Sequence, residues 1–411
     1  LYAESGKLLH LRERRGEGLN FDKSKYDDAI KFIHENSGIS PEDLRQKSAR
    51  ELINETNRIL SESISKSLQS GLKHEVPQTM TTALQENVFT FSGMKTYHQL
   101  KEASQLLVTE KGEIKPFQKF KEDVEKIHSK YNERYLEVEY NFAVHSAQMA
   151  VKWNEYEQDG EDYNLQYRTS GDDKVRADHA VLNRTTLPLS DPFWDSYTPP
   201  IDWGCRCTIV QVLKNKYPES NSAEAQELGK KATTRISADG TNKLAMFRFN
   251  PGKTMKIFPD KHPYLSRDGS PLEVKQAQKV VENLAQKSTA AIEKEKYLRE
   301  MKHLLKKKIE MDIDSDTISV GFTKFGNKHL YNDTIWRTKE FNKNDLKKLN
   351  TLLKESTFVK SSELYKERKN DDIKKFYYFK DKDKEIYYNV AEMMYKGSIY
   401  RLLYSITNMI Q

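Results

Sequence analysis

Two cysteines and one histidine pose the first chemical question. The 411-residue chain has two cysteines, Cys205 and Cys207, in the run Pro199-Pro200-Ile201-Asp202-Trp203-Gly204-Cys205-Arg206-Cys207. Upstream stand Arg176-Ala177-Asp178-His179 and Asp191-Pro192-Phe193-Trp194. An exposed thiol is reactive, so cysteine used this sparingly and spaced this tightly needs a local reason. One reading is a metal. On an extended segment, side chains at i and i+2 share a face, so both thiolates can reach one Zn²⁺ with His179 as third ligand. Asp172, Asp173, Asp178, Asp202 or water are candidates for the fourth position. The ion would be structural, or catalytic in a zinc hydrolase; against the hydrolase, Gly204-Cys205-Arg206-Cys207 has no adjacent glutamate placed as a general base. A disulfide, within Cys-x-Cys or between chains, is the second reading, although a bridge across one residue is strained. The third is a compact Pro/Trp/Gly-rich knot, with the thiols as small buried groups and His179 hydrogen-bonded nearby.

A second group of side chains lies toward the C-terminus. Lys328-His329 follows Gly326-Asn327 and reads as part of a turn, while Tyr400–Thr407 reads as a last strand. A phosphodiester cleaved by its own 2′-hydroxyl needs a base, an acid for the leaving 5′-oxygen and positive charge on the phosphorane. His329 suits either proton-transfer role near neutral pH. Lys328 and Arg401 suit the phosphate, arginine by its bidentate geometry. Ser405 or Thr407 would orient or donate, and no metal or other cofactor is required. The bland alternative is a turn histidine and an ordinary strand charge.

Composition bounds what holds these groups. At 36% hydrophobic and 31% charged, the chain is polar yet long enough for about two or three domains with a real core. No run of eighteen apolar residues occurs, so no membrane contact is expected. The start, Leu1-Tyr2-Ala3-Glu4-Ser5-Gly6, lacks an initiator Met and a signal pattern, which reads as a trimmed or processed chain. The cysteine usage fits synthesis in a reducing cytoplasm. The net charge of +7 is unevenly spread: residues 291–411 hold 26 basic and 19 acidic side chains, and the rest holds 42 of each. Such asymmetry suggests that the C-terminal part meets a polyanion, the alternative being solvated lysine-rich faces.

The pattern predicts an α+β chain: a mostly helical N-terminal domain with a small β element at the His/Cys motif, a connecting helix, and a small C-terminal α+β domain. Boundaries fall at 1–39 (an arm), 40–213 (the helical domain), 214–270 (a loop-rich arm), 271–308 (the connecting helix) and 309–411. Ser40-Pro41-Glu42-Asp43 starts a helix expected to run to Leu68, stopped by Gly71 and Pro77. Further helices are expected at 77–88, 95–107, 115–134 and 134–158, the last striped by Leu136, Tyr140, Ala143, Ala147, Ala150 and Val151. Tyr163–Thr169 and Thr208–Leu213 read as strands, and Phe247, Phe249 and Phe258 as anchors of the loop-rich arm. A glycine-free helical pattern runs from Pro271 to Lys308, ending in Lys306-Lys307-Lys308. Beyond it come a strand at Ile318–Phe322, a helix at Asn344–Leu353 and a hairpin of Phe376–Phe379 with Ile386–Val390 around Lys380–Asp383.

In order, Arg176-x-x-His179, Asp191–Trp194, Pro199-Pro200 and Trp203–Cys207 resemble the signature of the phage Mu F-like head morphogenesis family. These are minor head proteins of tailed phages, related to the SPP1-type head morphogenesis proteins. The resemblance covers about 40–215, and Phe91–Thr96 and the helix from Tyr135 to Trp153 fit it. It implies a few-copy virion protein at the portal end of the capsid, acting in head assembly or DNA packaging and delivery. Portal and capsid proteins would be its partners, in the host cytoplasm during assembly. Arg176, His179, Trp203, Cys205 and Cys207 would form a structural motif. Residues 310–411 resemble, on sparser motifs, the barnase–EndoU–colicin–RelE-like nuclease domains appended to such proteins. That implies a metal-independent endoribonuclease using His329, Lys328, Arg401, Ser405 and Thr407. The alternative is a non-catalytic module that binds RNA, packaged DNA or the portal.

Overall fold

The computed structural model describes residues 19–69, 73–266, 268–304, 307–333, 341, 345–346, 348–363, 373–395, 397–408 and 410. Residues 1–18 of the expected arm, Gly71, Lys306 and Asn344 lie outside them. The chain is α+β and divides into two compact units, the boundary falling between Thr289 and Ala290.

Unit 1 begins with α1 (Lys23–Glu35), whose Asp22 carboxylate accepts from the Ser24 amide at 3.0 Å. Ser40 starts a helix as its sequence suggests, and Asp43 accepts from both its amide and its hydroxyl. That helix is only a 3₁₀ turn, Pro41–Arg45. Its Leu44 is fully buried, the backbone extends at Gln46, and α2 (Lys47–Leu68) begins anew. α3 (Gln78–Ser104) is a single helix where the sequence pattern suggested two. α4 (Phe117–His128) passes through a π-helical turn, Ser129–Tyr135, directly into α5 (Leu136–Asp159). The stripe residues Leu136, Ala143, Ala147, Ala150 and Val151 are buried, and α2 packs on both α3 and α5.

The β element consists of β1 (Tyr163–Arg168), β2 (Thr186–Pro188) and β3 (Thr208–Leu213), ordered β2-β1-β3 and antiparallel. Two one-turn helices, α6 (Ala177–Ala180) and α7 (Phe193–Tyr197), sit in its connections. The segment expected to be loop-rich carries α8 (Ser222–Ala232) and α9 (Pro251–Thr254). Phe247, Phe249 and Phe258 are buried in the same core as Phe91 and Phe142. α10 (Leu272–Glu300) follows.

Burial in unit 1 sets a pH dependence. His262 is held neutral by desolvation, with Lys95 and then His98 adding repulsion, and its pKa falls to about 3. Its Nδ1 accepts from the Tyr264 amide, and the aromatic rings of Phe91, Trp203 and Tyr264 face it. The unfolded chain binds a proton near pH 6.5 that the fold refuses. Stability is therefore complete above about pH 6.5 and falls, by up to about 1.4 kcal/mol per pH unit, as the pH drops toward 3. His262→Gln is expected to flatten that decline in urea-unfolding midpoints; parallel slopes for variant and wild type would contradict it.

Unit 2 contains β4 (Lys308–Ile313), β5 (Asp316–Gly321), α11 (Lys324–Asp333), α12 (Leu349–Lys354), β6 (Thr357–Glu363), β7 (Ile373–Lys380), β8 (Tyr387–Tyr395) and β9 (Ser398–Thr407). The sheet order is β4-β5-β9-β8-β7-β6; it is antiparallel throughout except between β5 and β9. Its core gathers Ile318, Val320, Leu330, Leu349, Phe379 and Leu403. β4 and β6 escape the sequence pattern. Among the described residues, no helix is long and apolar enough to cross a membrane.

Candidate functional site

Three elements of unit 1 bring the motif together. His179 lies on the one-turn α6, Cys207 immediately precedes β3, and Cys205 sits two residues earlier in the connection from α7. All three side chains are buried, and their ligand-type atoms lie within 4.8 Å of one another. The Cys207 Sγ to His179 Nδ1 distance is 3.7 Å. Both thiols are free, so the disulfide reading has no bond to support it here.

The group is strongly coupled. The Cys207 thiol beside Cys205 depresses the Cys205 pKa well below the thiol range, burial opposes this, and His179 adds to the depression. Cys205 and burial together push Cys207 upward. Burial disfavours charge on His179, but contact with Cys205 outweighs it and raises the imidazole above its ordinary value. The fully buried Tyr167 hydroxyl stands beside both sulfurs, with no hydrogen bond of ordinary geometry reaching it. His179 Nε2 is likewise buried without a partner.

Around this centre a polar frame fixes the chain. Arg176 donates to the Trp203 carbonyl at 2.7 Å and pairs with Asp202 at 3.2 Å. Arg235 reaches the same Asp202 oxygen at 3.1 Å, and the Trp203 amide donates to the other one at 2.7 Å. His145 Nδ1 donates to the Cys205 carbonyl at 2.7 Å, tying the motif to α5. Arg206 clasps Asp172 with both guanidinium nitrogens. The Asp191 carboxylate accepts from the Phe193 amide at 2.8 Å, just before α7. The Trp203 ring packs edge-on against Phe142, Phe247 and His262.

Of the four carboxylates named as a fourth ligand, Asp172 and Asp202 are engaged by arginines and Asp173 is exposed. Asp178 has one oxygen 4.0 Å from Arg235 and lies outside the His/Cys/Cys group. His145, Tyr167 and Arg235 escaped the sequence reading. His145 is one polar residue in an apolar helix, Tyr167 is one aromatic in a strand, and Arg235 is 33 residues from the aspartate it grips.

The C-terminal candidates are arranged differently. Lys328 and His329 lie on the backbone of α11, not in a turn. The Thr323 hydroxyl accepts from the Gly326 amide at 3.0 Å to start the helix. Gly326 serves close packing there: a Cβ would stand 2.6 Å from the Leu403 carbonyl oxygen. The Lys328 and His329 side chains lie outside the described set. Arg401 donates through Nε to Glu392 at 2.7 Å, and Glu392 also accepts from the Tyr377 hydroxyl. Ser405 accepts from the Asn389 amide at 2.9 Å, with Thr407 3.5 Å from the same nitrogen. Asn389 lies an odd number of residues from Glu392, so the strand pleat puts Arg401 on the opposite face of the sheet from Ser405 and Thr407. Those three residues do not converge on one phosphate.

Residues 110–210, a quarter of the chain, match the family model described as Phage Mu protein F like protein. The structural motif from Arg176 to Cys207 lies inside that stretch. Among curated proteins, the Mu-like prophage FluMu F protein of Haemophilus influenzae is 40% identical over 43 residues. That match spans 10% of this chain and 10% of the relative. No solved structure matches the chain. Both likenesses support the phage head morphogenesis family.

Proposed function

We propose that this chain is a phage minor head protein, acting at the portal end of the capsid in head assembly or in DNA packaging and delivery. The observation that carries the reading is the buried His179/Cys205/Cys207 knot inside the Mu F-like stretch, braced by Arg176 on Asp202 and by Arg235 from beyond the stretch. Such a frame suits a rigid docking body better than a catalytic cleft, because its arginines and aspartates are spent on each other.

Unit 2 fits a binding module for nucleic acid or the portal. Its positive excess supports polyanion contact, and the engagement of Arg401 by Glu392 disfavours phosphoryl chemistry at the sequence-nominated residues. Two measurements test the proposal. Full-length chain is expected to co-purify with the portal oligomer of the phage that encodes it and to enter heads; particles that assemble normally without it would contradict the placement. With labelled RNA and DNA, the same chain is expected to bind more weakly as salt rises from about 50 to 200 mM, without cleavage. Cleavage that persists in chelator and disappears in His329→Ala would restore the ribonuclease reading instead.

A further inference from the structure

We propose that His179, Cys205 and Cys207 bind a single zinc ion as a structural centre, with the Tyr167 hydroxyl over the fourth position. This inference stands whether or not the chain docks at a portal.

Geometry is the first support. Zn–S and Zn–N bonds of about 2.3 and 2.1 Å at a tetrahedral angle place the two donor atoms about 3.6 Å apart. The observed separation of Cys207 Sγ from His179 Nδ1 is 3.7 Å, and the third donor falls within the same 4.8 Å envelope. An unbound thiol and imidazole at hydrogen-bond distance would also satisfy that one contact. They would leave the rest of the cluster unexplained.

Unmet polar demand is the second support. Tyr167 is 0% exposed, and its hydroxyl stands beside both sulfurs without reaching either, or any other group, in ordinary hydrogen-bond geometry. A buried hydroxyl with no partner costs about 1–3 kcal/mol. An ion between the sulfurs would give that oxygen a direct or water-mediated partner. A disulfide would consume the thiols and still leave Tyr167 and His179 unsatisfied.

Topology is the third. The ligands come from α6 and from the segment leading into β3, while Tyr167 comes from β1. One ion would staple the chain across more than twenty residues of short helices and turns, where little regular backbone pairing holds it. Each cysteine gives up its thiol proton on binding, and His179 coordinates as the neutral ring. The nearby Asp202 and Asp172 are held by arginines, and Asp178 lies outside the His/Cys/Cys cluster, which favours a structural role over hydrolysis.

The test uses the full-length chain without a polyhistidine tag. Elemental analysis is expected to give one zinc per chain, and cobalt(II) exchanged for it should show thiolate-to-metal charge-transfer absorption. A thiol reagent should modify neither cysteine until a strong chelator is added, then both. Cys205→Ser and Cys207→Ser are expected to lose the ion, whereas Tyr167→Phe should keep it and release it faster to chelator. Should the serine variants not fold, cobalt titration of metal-stripped wild type decides alone. A folded, zinc-supplemented wild-type chain with only trace metal and no cobalt–thiolate band would overturn the proposal. So would a Cys205–Cys207 disulfide found by mass spectrometry. Equal chelation rates for Tyr167→Phe and wild type would remove Tyr167 from it.

Discussion

Lys95→Met, with Glu139 left in place, is expected to destabilise unit 1 by about 3–5 kcal/mol. The two side chains meet in a direct ion pair between α3 and α5, and both are essentially without solvent. Desolvation pulls Lys95 below the usual ammonium range and pushes Glu139 above the usual carboxylate range, each opposed by the other's charge. The neighbouring Tyr264 hydroxyl also favours the charged form of Glu139. Removing the lysine strands a fully buried carboxylate beside Tyr264, and that uncompensated burial is what costs. The double variant Lys95→Met/Glu139→Leu should recover most of the loss, because apolar side chains of similar size satisfy the same space. Urea-unfolding midpoints of the wild type, both single variants and the double variant form the cycle. A single-variant loss under about 1 kcal/mol, or a double variant as damaged as the single, would show that the pair is not buried as described.

Neither partner is visible in the sequence as special. Lys95 and Glu139 are two charges among many, 44 residues apart, and only the crossing of α3 with α5 gives them meaning. The features legible beforehand are those with a local physical signature. Alternation and β-branching mark Thr208–Leu213, tyrosine-rich alternation marks the β7–β8 hairpin, and the apolar stripe marks α5. β2 was missed because three residues carry no periodicity, β4 because its short charged alternation follows directly on the lysine-rich end of a helical pattern, and β6 because Lys360-Ser361-Ser362-Glu363 lacks apolar alternation. At the motif, spacing alone brought His179 to the two cysteines. Tyr167, His145 and Arg235 were invisible because each acts through one long-range contact. The Gly326-Asn327 pair looked like a turn because glycine and asparagine most often mark one. Here the missing Cβ admits β9.

Gly93 repeats that lesson with a larger consequence, and Gly93→Leu is expected to be strongly destabilising. The sequence pattern breaks α3 near this glycine, yet the helix runs straight through it. Its value lies in contact: a Cβ at position 93 would meet Val281 Cγ1 at 2.3 Å and Cγ2 at 2.8 Å, so α10 can approach only because nothing is there. A glycine inside a helix costs about 1 kcal/mol relative to alanine. Gly93→Ala would regain that and lose more to the clash, for a net destabilisation of about 1–2 kcal/mol. Leucine has no room short of parting the two helices, and about 3 kcal/mol is expected. Val281→Ala opens the space. Combined with Gly93→Ala, it should destabilise by clearly less than the sum of the two single changes, a coupling of about 1 kcal/mol or more. Strict additivity in that cycle would mean that α3 and α10 do not meet at this position.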